Sequence, residues 1–297
     1  MSQNQTPANS STETPHLQRS LGAFHLWGLA VGLVISGEYF GWSYGWSVSG
    51  PIGFLISTLI ITVLYITLVF SFTELTTSIP DAGGPYAYAT RALGSYSGFM
   101  AGFATTVEFL FAPPAIAFAL GGYLHVIVPE VSIPVAATVV LLVFGAVNLL
   151  GVKHSARFES FVTVLAVIEL LIFLIAVLPH FQLENFTRDG FQGGWYGVFA
   201  AIPYAIWFFL AIEGVAMAAE EVHEPAKNIP KGYLSGIATL VFLALGVMFA
   251  AGGAGDWKKL STMDYPIPEA VGMALGADNP WVKAFAGIGL FGLVASL

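Results

Sequence analysis

No cysteine occurs in the 297 residues, which removes disulfides, thiolate-held metals and cysteine nucleophiles. Charge is nearly as scarce. Only 9% of residues are Asp, Glu, Lys or Arg, against about 25% in a soluble domain. The basic residues form no run and the net charge is -8, so no nucleic acid partner is expected. The six histidines, His16, His25, His125, His154, His180 and His223, are scattered and mostly near loops. They make no zinc-type ligand set, and neither metal, cofactor nor catalytic residue is expected. No ring of repeated filter residues is evident, which argues against a channel.

What is present is apolar. Hydrophobic residues make up 56% of the chain, with 33 glycines and 24 phenylalanines, and the mean hydropathy is +0.78. This composition predicts an all-α polytopic protein whose partner is the lipid bilayer. Residues 1–20 are polar and lack the basic, apolar and cleavage regions of a signal peptide, so they read as a disordered cytoplasmic tail. Residues 21–297 read as one transmembrane domain.

Within it, apolar runs predict spans over about Phe24 to Ser49, Pro51 to Thr77, Gly98 to Val128, Ile133 to Leu150, Arg157 to Leu178, Gly197 to Val222 and Tyr233 to Ala254. An eighth begins near Trp281, and the sequence stops inside it. Pro113 and Pro114 are expected to kink the third span. The stretch after the second span, with Pro80, Gly83, Gly84 and Pro85, reads as a helix-breaking loop, as do the residues between Ala254 and Trp281. With the N-terminus inside, Arg19, Arg91, Lys153, Arg157, Lys227 and Lys231 are cytoplasmic and Arg188, Lys258, Lys259 and Lys283 are outside. The bias favours that orientation, in a cell inner membrane.

Two spans carry polar interruptions. The first holds Ile35-Ser36-Gly37-Glu38-Tyr39, where glycine weakens the helix and a carboxylate at bilayer depth needs a partner. Glu213-Gly214 interrupts the sixth similarly. Irregular backbone at that depth lines a cavity. Interruptions in spans one and six predict two five-helix repeats of inverted topology, the first over about residues 24–178 and the second over about 197–297. Such a fold has ten spans, so the sequence reads as a piece of a longer transporter, truncated within the eighth span.

The segments ELTTSIPDAGGPYAYATRALG (residues 74–94) and AIEGVAMAAEEVHEPAKNIPKGY (residues 211–233) resemble the signatures of the amino acid–polyamine–organocation permeases. The stretch FHLWGLAVGLVISGEYFGWSYGW (residues 24–46) is similar to the ethanolamine permease branch. The resemblance implies the leucine-transporter-type inverted repeat (5+5) and secondary transport by alternating access, hence no enzyme.

Where the family usually reads I-G-S-G-I-F-G, this chain has Ile35 to Gly41 with Glu38 at a glycine position. A carboxylate there repels an amino acid's own carboxylate by roughly 4 kcal/mol at about 4 Å and a dielectric near 20. A small cationic amine gains by the same amount, which points to ethanolamine import. The alternatives are an amino acid permease of the same superfamily and a transport-inactive fragment.

The substrate-binding residues expected are Ile35, Ser36, Gly37, Glu38, Tyr39, Trp207, Phe209 and Glu213. Trp207 has two readings, a cation–π cover for an ammonium and a core tryptophan. Glu213 also has two, substrate ligand and brace of the broken ends. Glu108, Glu220 and Glu221 match family positions and read as structural acids, and Glu74, at the inner end of the second span, reads likewise. The resemblance aligns Ala166 with a lysine that many members place in the fifth span. Glu169, one turn later, then has two readings, a structural acid and a substitute carrier for a coupling proton, with sodium as the other candidate ion.

Overall fold

A computed structural model of the chain describes residues 19–149 and 156–297. Most of the expected polar tail, together with Lys153 and His154, lies outside the described residues, as do the side chains of Asn148 and Arg157. Among the described residues the architecture is wholly helical apart from one isolated bridge, Leu21 to Val222.

The first span is assembled from α1 (Ala23–Gly32), a single turn α2 (Ser36–Tyr39) and the start of α3 (Tyr44–Ser78). Helix α3 changes direction at Gly50, whose φ of 67° and ψ of 170° separate the first span from the second. The Gly190 carbonyl lies against Gly50, and the N–H groups of Ile52 and Gly53 donate to it at 2.7 and 3.2 Å. That carbonyl supplies the acceptor that the first turn of the second span lacks. Only glycine combines a positive φ with so close a neighbour.

The remaining long helices are α5 (Ser95–Ile127), α6 (Ile133–Leu149), α7 (Ala156–Val177), α9 (Gly194–Ile206), α10 (Pro225–Ala254) and α13 (Pro280–Val294), with α4 (Gly84–Leu93), α8 (Leu183–Thr187), α11 (Trp257–Leu260) and α12 (Pro266–Leu275) between them. Among the described residues four helical stretches, Tyr44–Ser78, Ser95–Ile127, Phe158–His180 and Pro225–Ala254, are long and apolar enough to cross a membrane, and three shorter helices are apolar. Side chains such as Phe99, Phe103, Leu142 and Ile175 stand exposed along them. A row of that kind suits lipid rather than water.

The third span is one helix, α5, with Pro113 and Pro114 in its interior. Two loop expectations are corrected. The stretch after the second span is not a simple loop. Pro85 sits in the first turn of α4, where its missing N–H is harmless, and Gly94 with a φ of 89° ends the helix. The residues between Ala254 and Trp281 likewise fold into α11 and α12, started by Asp256 accepting from Lys258 N–H and by Pro266. Pro80 follows the end of α3 at Ser78, as expected of a breaker, while Pro85 and Pro266 start helices.

Helix α1 packs on α10 and α7, α3 on α9, and α13 on α5 and α7. At one end of the bundle Ser20 and Leu21 donate to the Glu221 carbonyl at 2.9 and 3.0 Å, and Ala82 N–H donates to Glu220 Oε1 at 3.0 Å. At the other end Lys258 pairs with Asp189, Trp257 Nε1 donates to the Arg188 carbonyl, and the Tyr44 hydroxyl contacts Asp264. The two breaks lie between these ends.

Candidate substrate site

The break in the first span has a defined hydrogen-bond pattern. Ile35 N–H still reaches the Val31 carbonyl at 2.8 Å, after which the α1 ladder is lost and only the short turn α2 follows. Phe40, at φ -157° and ψ 173°, is extended and ends that turn. Gly41 then has a φ of 90°, beside the Trp207 indole.

The sixth span breaks earlier than the sequence indicated. Helix α9 stops at Ile206, residues 207–211 form irregular turns, and Ala211 has a φ of 75°. A 3₁₀-helix, Ile212–Glu221, then takes the place of an α-helix. Ten residues is long for that helix type, whose hydrogen bonds are poorer. Glu213 lies in its first turn, beyond the break itself.

The two breaks touch backbone to backbone. A Cβ placed on Gly37 would overlap the Trp207 carbonyl, and Phe40 meets the Trp207 ring edge-on at 5.4 Å between centroids. Beside this contact lies a cavity of about 560 Å³. Leu33, Val34 and Ser36 from the first break line it, with Trp207, Leu210 and Ala211 from the second. Glu108 of α5, Glu159 of α7 and Ser296 beyond α13 add its polar surface.

Of the residues expected at the site, Ser36 and Trp207 line this cavity directly. Ile35 and Phe209 are fully buried, the latter against Tyr65 at 5.4 Å. Glu38 is 0% exposed, and among the described residues neither carboxylate oxygen has a hydrogen-bond partner. Its carbonyl accepts from Trp42 Nε1 at 3.0 Å. It does not line the cavity.

Tyr39 points elsewhere, donating to Glu169 Oε2 at 2.7 Å and lying 3.1 Å from the Ala166 carbonyl. The Tyr123 hydroxyl donates in turn to the Tyr39 carbonyl at 2.9 Å. Glu169 is 2% exposed, and its Oε1 has no hydrogen-bond partner. Glu108 faces Glu213, with Tyr65 beside both. Two carboxylates in that position repel unless a cation or proton lies between them. Glu220 and Glu221 lie at the end of the 3₁₀-helix, holding Ala82 and the Ser20–Leu21 backbone.

Two polar cavity residues escaped the sequence reading. Glu159 follows the basic loop on α7 and carries the same signal as Glu38, an acid entering an apolar run. Ser296 has no such signal, because serine is common at helix ends. Among the described residues no group of His, Asp and Glu side chains could hold a metal.

The model of the family described as amino acid permease matches residues 25–294. The chain is 28% identical over 293 residues to an uncharacterized transporter of Rhizobium meliloti (strain 1021), covering 95% of this chain and 63% of that protein. It is 25% identical over 297 residues to a branched-chain amino acid permease of Bacillus subtilis (strain 168), covering 92% and 62%. A methylthioribose transporter of the same organism is 26% identical over 275 residues, covering 86% and 59%. The chain thus spans about three fifths of the length of these relatives.

Proposed function

Because the chain belongs to the amino acid permease family, and is at that level a multi-pass membrane transporter rather than an enzyme, we propose that it carries a small cationic amine, ethanolamine first among the candidates. The observation that carries this reading is Glu38, a wholly buried carboxylate without a hydrogen-bond partner, one residue from the contact between the two breaks. An ionisable group at membrane depth is costly, and its position beside broken helices gives it a task. An ammonium would satisfy it, whereas a substrate carboxylate would be repelled. Trp207, half-buried on the cavity wall from which Glu38 is set back, would offer its ring to an ammonium in the cavity.

The transport mechanism in this reading is alternating access at the broken first and sixth spans, within a five-plus-five inverted repeat. The N-terminus is cytoplasmic, in a cell inner membrane, and Glu169 is the candidate carrier of a coupling proton. The end of the bundle holding Arg19, Arg91 and Lys227 is then the inner one.

A second reading keeps an amino acid as substrate and is favoured by the likeness to a branched-chain amino acid permease. Another relative is named for methylthioribose, so likeness at this level does not select the solute. Binding of labelled ethanolamine to the protein in lipid nanodiscs, with serine and alanine as competitors, separates the two. The amine reading expects saturable ethanolamine binding that serine and alanine displace poorly. Displacement by serine as strong as by ethanolamine itself would restore the amino acid reading.

A further inference from the structure

The break in the first span is bridged from a residue far away in the sequence. In an uninterrupted α-helix the Ser36 N–H would donate to the Gly32 carbonyl, four residues earlier. Here Ser36 N–H donates to Ser296 Oγ at 3.2 Å, and Ser296 Oγ donates to the Gly32 carbonyl at 2.6 Å. The hydroxyl is thus inserted into the one backbone hydrogen bond whose loss opens the helix. It fills the place that a buried water takes when it enters such a ladder.

We propose that Ser296 is a positioning residue, whose hydroxyl holds the first break open at a fixed width and thereby sets the placement of Ser36, Gly37 and Glu38. Serine suits the task because one hydroxyl both donates and accepts. Without the bridge the Ser36 N–H and the Gly32 carbonyl would turn to water in the cavity or stay unpaired. Among the described residues no other partner for Ser36 N–H is present, and Val34 and Ile35 beside it are buried and apolar.

The neighbouring contacts fix the joint from other sides. Gly292, one turn before Ser296 on α13, packs against the Tyr39 ring, so α13 meets the first span on both flanks of the short turn α2. Ser36 and Ser296 both line the 560 Å³ cavity. One lone pair of the Ser296 hydroxyl is left free in an arrangement where the other accepts from Ser36. The span-one break and the end of α13 are therefore one unit at the cavity wall. A change in that wall reaches Glu38 through two residues.

The inference rests on the amine-site reading only for its consequence on binding; the bridge itself is a property of the fold. Two measurements on the protein in nanodiscs keep them apart. The first is amide hydrogen exchange across residues 33–39. Ser296→Ala should raise exchange there at least tenfold and leave α10 unchanged, and Ser296→Thr, which retains the hydroxyl, should restore the protection. Unchanged exchange in Ser296→Ala would overturn the proposal. Should that variant not fold, Ser296→Cys, with a weak donor and acceptor, takes its place against Ser296→Thr under the same criterion. The second is labelled ethanolamine binding, expected to weaken about tenfold in Ser296→Ala and recover in Ser296→Thr. Exchange that responds while the unsubstituted protein binds no amine sinks the substrate reading and supports the bridge.

Discussion

Gly37 rests against the carbonyl of Trp207, so the two broken spans meet without a side chain between them. That contact sets the depth at which Glu38 is buried and which way the Trp207 ring faces. It also inverts the usual ranking of residues at this position.

On helix propensity alone Gly37→Ala would stabilise the turn by about 1 kcal/mol. The added methyl group must instead displace the Trp207 backbone, and overpacking of that kind costs about 1–3 kcal/mol. The variant is expected to melt lower than the unsubstituted protein in a thermal unfolding assay monitored by size-exclusion fluorescence. A higher melting temperature would mean that the two breaks do not press on each other.

Glu38→Gln retains the shape of the side chain and removes the charge. In the amine reading its affinity for ethanolamine falls by about 1.4–4 kcal/mol, tenfold to a thousandfold, with competition by serine no weaker than before. Equilibrium binding in nanodiscs provides the number. An unaltered ethanolamine affinity would remove Glu38 from the site.

Tyr39→Phe deletes the 2.7 Å hydrogen bond to Glu169 and leaves a buried carboxylate without that donor. A typical hydrogen bond contributes about 0.5–1.5 kcal/mol net, so the melting temperature should fall. Glu169→Gln retains an acceptor for Tyr39 and is expected to fold. If Glu169 carries the coupling proton, uptake by Glu169→Gln proteoliposomes no longer responds to an imposed pH gradient, while ethanolamine binding persists. Persistence of the pH response would assign coupling elsewhere.

In the loop between α8 and α9, Asp189 has its carboxyl held below the usual carboxylate range, first by the hydrogen bond from Lys258 and then by that lysine's charge. A depressed folded pKa gives stability that is present above the unfolded value, about 3.9, and is lost as pH falls through the folded one. The group is fully exposed, so the contribution is small and screened by salt. Asp189→Asn, which tolerates the observed φ of 53°, should therefore leave the melting temperature unchanged within about one degree between pH 5 and 8. A clear loss at pH 7 would show that this loop holds its end of the bundle more tightly than an exposed pair can.

The sequence by itself determined the class, the order of the apolar spans and the existence of both interruptions. These follow from local chemistry: composition decides whether a helix can sit in lipid, and a glycine beside a carboxylate weakens it wherever it lies. Tertiary structure decided the rest. Propensity placed the second break at Glu213-Gly214, but the chain bends at residues 207–211, because Trp207 must lay its carbonyl on Gly37 and Ala211 takes up the turn. Prolines that read as breakers became helix starts at Pro85 and Pro266, a distinction made by which N–H groups have acceptors in the folded chain. The pairing of Tyr39 with Glu169 and of Ser36 with Ser296 joins residues whose separation no periodicity encodes. Those contacts form because hydrocarbon offers a freed amide or carboxylate no water, and the nearest side chain able to answer it belongs to another helix.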